Sequence, residues 1–198
     1  MKLVLATQNP KKLKEMNEIL SHLGVEVVSE AELGVRIEVE ETGETFTDNA
    51  RLKATAVMRA TGLPAVADDS GLCVDALNGG PGVYSARFGG EGLDDRGRYT
   101  LLLEMLRGQT DRAAHFHTSI VCAFPNGDEL VCEGECPGTI AFAPMGEGGF
   151  GYDPVFFVPE LRKTFGQLTA EEKASVSHRG KALRAFAAAL DDYLKGNE

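Results

Sequence analysis

The sequence predicts an α/β protein built on a mixed β-sheet, and two observations carry that prediction. Over the first third of the chain, short apolar runs alternate with helical periods, the rhythm of parallel strand–helix units. Further on, two β-rich runs flank Pro125-Asn126-Gly127-Asp128, a hairpin signal that makes the strands it joins antiparallel. Parallel units and a hairpin in one domain give a mixed sheet.

Lys2 to Ala6 reads as a short apolar strand, followed by turn and capping residues at Thr7-Gln8-Asn9-Pro10. Leu13, Met16, Leu20 and Leu23 then share one helical face, and Pro10 suits a first turn, where its missing N–H costs nothing. Gly24 stops that helix, and Val25 to Val28 is the next strand. A second helix starts near Thr47, presents Ala50, Ala54, Val57 and Met58 inward, and ends at Gly62. Leu63 to Ala67 is a short buried strand that delivers Asp68-Asp69-Ser70-Gly71 at its end. Leu93 to Leu106 reads as a helix with Leu101, Leu102, Met105 and Leu106 inward. His115–Phe124 and Glu129–Cys136 are the hairpin strands, and a last helix carries Leu183, Phe186, Ala187, Leu190 and Leu194 on one stripe.

At 198 residues the chain is expected to form one domain, residues 1–198, and at roughly 70% burial it needs no disulfide or metal to fold. Thirty acids against twenty bases leave a net charge of −10, which excludes a general polyanion binder relying on many Lys/Arg–phosphate contacts. A small phosphorylated ligand stays open, since a few placed cations or a metal suffice for it. Eight acids and one base fall between Glu26 and Asp48, so that segment alone contributes −7. With no apolar run of membrane-spanning length and no signal-peptide core, a cytoplasmic protein is expected. The four cysteines lack the paired spacing of a zinc site and are read as strand residues.

Four segments could carry chemistry. Thr7-Gln8-Asn9-Pro10-Lys11-Lys12 ends a strand and opens a helix, where free N–H groups and the helix dipole attract anions. It is no Walker A loop, and an ordinary capped helix is the structural alternative. Asp68-Asp69 places two carboxylates on opposite sides of an extended segment, so one can serve a ligand or Mg²⁺ while the other anchors. An Asx-rich turn is the alternative there, and the acids from Glu38 to Glu44 are a second source of metal ligands. Gly146 to Gly151 matches G-x-G-x-x-G, but no helix opens after it, so it is no dinucleotide fingerprint. Its glycines instead suit close backbone approach to a flat ligand, with Phe150 or Tyr152 stacking on it. Ser177-His178-Arg179 opens the last helix with Ser177 as its cap, and Lys173 lies one turn upstream.

Together these segments resemble the noncanonical purine nucleoside triphosphate pyrophosphatases, the inosine/xanthosine triphosphate pyrophosphatase family, nearly end to end. The resemblance rests on Thr7-Gln-Asn-Pro-Lys-Lys12, Glu40-Glu-Thr-Gly43, Asp48-Asn-Ala50 with Lys53, and Ala67-Asp-Asp-Ser-Gly71. It continues through Pro81-Gly-Val-Tyr-Ser-Ala-Arg87, Gly149-Phe-Gly-Tyr-Asp-Pro154, Leu168-Thr-Ala-Glu-Glu-Lys173 and Ser177-His-Arg179. Gln8 departs from it, since bacterial members usually carry Gly there. The resemblance implies an elongated mixed sheet with flanking helices in two lobes around a cleft, and a homodimer. It implies Mg²⁺-dependent hydrolysis of ITP, dITP and XTP to the monophosphate and pyrophosphate. Carried over by position, Thr7 to Lys12 hold the triphosphate, Asp69 is base and metal ligand, Ser70 touches substrate, and Lys53 lies near the phosphates. Phe150, Gly151, Tyr152 and Asp153 belong to the base loop, with Lys173, His178 and Arg179 as further substrate contacts. Glu41 is the expected second metal acid, with Glu40, Glu44 and Asp68 as rivals. The competing expectations are a Maf-like pyrophosphatase for other modified nucleotides and a nucleotide sensor without turnover.

Overall fold

A computed structural model describes residues 1–7 and 9–196 of the chain. The chain divides into two compact units, Met1–Asp69 with Thr118–Gly134 and Lys181–Glu198, and Ser70–His117 with Glu135–Gly180.

In the first unit, β1 (Lys2–Leu5) pairs in parallel with β2 (Glu26–Ser29) from Lys2↔Glu26 to Leu5↔Ser29. It also pairs in parallel with the start of β3 (Ala65–Val74), Val4↔Ala65 and Leu5↔Val66. Leu3, Val4 and Leu5 are fully buried, as befits a parallel strand covered on both faces. The helix α1 (Pro10–Leu20) links β1 to β2, capped by Asn9, whose Oδ1 accepts the Lys11 N–H at 3.0 Å. The helix α2 (Phe46–Thr61) links β2 to β3, capped by Thr45, and its inner face buries Ala50, Ala54 and Val57 with Asn49. The predicted stripe of the last helix meets this core: Leu183, Phe186, Ala187 and Leu190 of α5 (His178–Gly196) pack with Leu3, Leu5, Met16, Leu20, Val66 and Ile120. Truncating Phe186, fully buried there, would cost about 3–5 kcal/mol.

In the second unit, β4 (Gly80–Pro81) pairs antiparallel with the end of β3, and α3 (Asp95–Met105) is capped by Asp94. The hairpin strands are β5 (Ala113–Ala123) and β6 (Glu129–Ile140), whose residues 118–134 belong to the first unit, and β7 (Phe156–Val158) and β8 (Lys163–Thr164) extend the antiparallel part. The hydrogen-bonded order is β2-β1-β3-β5-β6-β7-β8, the mixed sheet the sequence predicts. Leu72, Val74, Leu102, Leu106, Phe116, Phe156 and Phe165 form this unit's core. Among the described residues no helix is long and apolar enough to cross a membrane.

Several elements differ from the sequence reading. β3 does not stop before Asp68-Asp69 but continues to Val74, so both aspartates lie inside a strand rather than in a loop. Met105 is 48% exposed, not inward: the helix ends there, and Leu102 and Leu106, one turn apart, take the buried stripe. A short helix α4 (Ala170–Val176), unassigned from periodicity, opens with Thr169 and Glu172 in a reciprocal capping box.

Candidate active site

The first unit gathers charge around the aspartates of β3. Alternation along the strand turns their side chains different ways, and each finds a lysine from a different helix. Lys12, in the first turn of α1, donates to Asp68 Oδ2 at 2.7 Å, where the Asp68 side chain is 4% exposed. Lys53, on α2, donates to Glu41 Oε1 at 2.7 Å and to the Asp68 carbonyl at 2.8 Å, and lies 3.6 Å from Asp69 Oδ1. Asn49, one helical turn before Lys53, donates to Asp69 Oδ2 at 3.2 Å and accepts the Gly43 N–H at 2.8 Å. One ammonium thus joins the acidic loop to the general-base candidate, which sets Glu41 apart from its rivals. Glu40 and Glu44 are exposed, and Asp68 is held by Lys12.

Thr7 is half-buried, and its Oγ1 accepts the Asn9 N–H at 3.2 Å, tying the turn that precedes α1. Asn9, Lys11 and Ser70 are exposed, Pro10 begins α1, and Gln8 lies outside the described residues. A cavity of about 290 Å³ opens beside this group, lined by Ala6, Thr7, Glu30, Ile37, Glu38, Val39, Lys53 and Val57. The carboxylates of Glu41 and Asp69 are hard oxygen donors suited to Mg²⁺, which commonly takes one or two carboxylates and completes its shell with water and phosphate oxygens. Among the described residues no group of three or more His, Cys, Asp or Glu side chains is placed to hold a metal ion.

The second unit holds the other candidates. Phe150 is 75% exposed, whereas Tyr152 turns inward and its hydroxyl donates to the Ser85 carbonyl at 2.7 Å. Of the two aromatics, therefore, only Phe150 presents a ring face outward. Burial pushes the Tyr152 hydroxyl up to about 12, keeping it a neutral donor. The Gly151 N–H donates to Asp95 Oδ2 at 2.7 Å, and Asp153 accepts the Phe150 N–H at 2.9 Å and the Lys173 ammonium. Burial raises the Asp153 carboxyl above the ordinary range, against the opposing pull of Lys173. Lys173 sits 4.7 Å above the Phe150 ring and 5.2 Å above Phe165. Gly149, at φ +79°, approaches Asp153 so closely that a Cβ would stand 1.9 Å from Oδ2. The close approach read from the glycines is thus met by the chain's own carboxylate. Ser177 Oγ accepts the Gly180 N–H at 3.0 Å, as expected of the α5 cap, and the half-buried His178 ring stacks on Phe116 at 4.7 Å. Arg179 follows it, half-buried, in the first turn of α5.

Asn49, Asp95 and Ser85 hold these groups, and nothing in the sequence reading gives them a role. For Asn49 a signal exists, a polar side chain on the inner face of α2 four residues before Lys53.

Residues 3–189 match the model of the Ham1 family. The chain belongs to the Ham1 family. A protein of an Exiguobacterium species named dITP/XTP pyrophosphatase is 50% identical over 196 residues, covering 99% of this chain and all of that one. One of Thermus thermophilus with the same name is 53% identical over 195 residues, 97% of this chain and 93% of the relative. The structure of a HAM1 protein from Coxiella burnetii superposes with a TM-score of 0.93 at 43% identity, covering 97% of this Ham1 chain and 99% of the other.

Proposed function

We propose that this Ham1 chain is a nucleoside triphosphate pyrophosphohydrolase that converts ITP, dITP and XTP to the monophosphate and pyrophosphate. The reading rests on a near full-length likeness to proteins named for that activity, together with one observation in this chain: Asp69 held between Asn49 and Lys53. Asp69 takes the proton of the attacking water, and the amide of Asn49 and the ammonium of Lys53 fix its two oxygens. The triphosphate is assigned to Thr7, Gln8, Asn9, Pro10, Lys11 and Lys12 at the start of α1, with Ser70 beside the base. Lys12 and Lys53 offset charge on the departing pyrophosphate. Glu41 and Asp69 would hold Mg²⁺, which supplies charge neutralisation at the phosphate oxygens.

The purine is assigned to Phe150, Gly151, Tyr152 and Asp153, with Lys173, His178 and Arg179 as further contacts. Phe150 stacks on the base, while the buried Tyr152 and Asp153 act by shaping the loop. Donors from His178 or Arg179 aimed at a 6-oxo oxygen would reject adenine, whose 6-amino group leaves two donors facing each other. Removal of deaminated purines from the cytoplasmic nucleotide pool, by a homodimer, completes the proposal. Asp69→Asn tests it: nucleotide affinity should persist while kcat falls about 10²- to 10⁴-fold. An unchanged kcat would exclude Asp69 as the base.

A further inference from the structure

We propose that Asn49 is a positioning residue, setting Asp69 in register with the Glu41 loop through the two ends of one amide. The inference rests on the assignment of Asp69 as general base. Asn49 is fully buried on the inner face of α2, where Ala50, Ala54 and Val57 are its apolar neighbours. Helix stability gives no reason for it, since Asn is a poorer helix former than Ala and a buried amide must be satisfied at both ends. Both ends are satisfied by the site itself. Its Oδ1 accepts the Gly43 N–H at 2.8 Å, and its Nδ2 donates to Asp69 Oδ2 at 3.2 Å.

Gly43 is part of the same device. A Cβ there would lie 2.7 Å from Asn49 Oδ1, 2.6 Å from Asp48 Cβ and 2.9 Å from the Asn49 nitrogen. The loop therefore seats against α2 only with glycine at this place. Lys53, four residues on and on the same helical face, grips the same two segments, through Glu41 and through Asp68 and Asp69. Two adjacent side chains on one rigid helix thus hold the acidic loop and β3 at a fixed separation. Lys53 does so with a charge that substrate phosphates will attract. Asn49 does so with a neutral amide whose two bonds face the protein. A fixed amide donor also leaves Asp69 one oxygen orientation, and a misplacement of about 1 Å in such a group costs on the order of 100-fold in rate.

Asn49→Asp tests this because it keeps the shape and the acceptor toward Gly43 but replaces the donor toward Asp69. The expected result is a kcat for ITP lowered on the order of 100-fold. KM and calorimetric nucleotide affinity should stay within about threefold, while Tm falls, because a carboxyl buried against Asp69 replaces the donated bond. Asn49→Ala should lose kcat to at least the same degree while also losing Tm. In an Asp69→Asn background, Asn49→Asp should cost no further kcat, because the group it positions is gone. A wild-type kcat in Asn49→Asp, or a loss that repeats in full on the Asp69→Asn background, would overturn the inference. The two readings separate cleanly. If Asp69→Asn keeps wild-type kcat, the base assignment falls and this inference with it. If Asp69→Asn is inactive and Asn49→Asp is not, only the role of Asn49 falls.

Discussion

Lys12 and Asp68 form a 2.7 Å ion pair across 56 residues of sequence, joining the first turn of α1 to the middle of β3. The Asp68 side chain is 4% exposed and that of Lys12 is 29% exposed. The carboxylate is therefore the member that cannot return to water. Removing Lys12 should cost about 1–3 kcal/mol, less than a fully buried pair because the lysine is partly solvated. Lys12→Met should lower Tm and raise KM for ITP about tenfold, and Lys12→Met with Asp68→Asn should restore Tm but leave KM high. Thermal melts and initial rates on the three proteins check this. A KM that recovers along with Tm would show that Lys12 serves only the fold.

Tyr152 makes an alkaline prediction. Its hydroxyl is raised from 10 to about 12 in the folded chain, chiefly by burial. The unfolded chain thus loses this proton first as pH rises, so the stability Tyr152 contributes is fully present below pH 10 and is lost as pH climbs through about 12. That contribution is on the order of 2–3 kcal/mol. Tyr152→Phe should lower Tm at neutral pH, because the bond to the Ser85 carbonyl is lost. It should also flatten the fall of stability above pH 10, read from denaturant midpoints across pH.

Phe150 is the converse case. A ring 75% exposed contributes little to the fold, so Phe150→Ala should shift stability by no more than about 0.5 kcal/mol. If the ring stacks on the purine, KM should rise roughly tenfold, the worth of one base–aromatic contact. A KM unchanged within error would move the stacking role elsewhere.

Glu41 carries a prediction about the metal. Glu41→Gln should raise the Mg²⁺ concentration needed for half-maximal activity by about tenfold while retaining turnover at saturating Mg²⁺. Titration of rate against Mg²⁺ separates this from Glu40→Gln and Glu44→Gln, whose exposed parents should leave the curve unmoved.

The sequence makes legible what depends on local pattern. The apolar stripe of α5, the inner face of α2 and the hairpin around Asn126-Gly127 all repeat in the structure, because each is written in a single period or turn. The apolar run alone predicts too short a β3, because Asp68 to Gly71 breaks it, and the continuation is fixed by strand pairing, Cys73 with Pro81. The burial of Tyr152 likewise depends on Ser85, 67 residues away, so no local spacing distinguishes it from the outward Phe150. In the candidate site, residue types and order were readable. That Lys53 reaches Glu41 and Asp69 together, and that Asn49 spans Gly43 and Asp69, are facts of packing. The capping box of Thr169 and Glu172 is different, a local signal that spells out α4 in the sequence itself.

The most direct measurement is product analysis after incubation with Mg²⁺ and ITP, XTP, dITP, GTP, ATP or dTTP. A pyrophosphohydrolase of this specificity gives monophosphate and pyrophosphate from ITP, XTP and dITP, with ATP and dTTP turned over far more slowly. Diphosphate with free orthophosphate, or a preference for ATP or dTTP, would contradict that assignment.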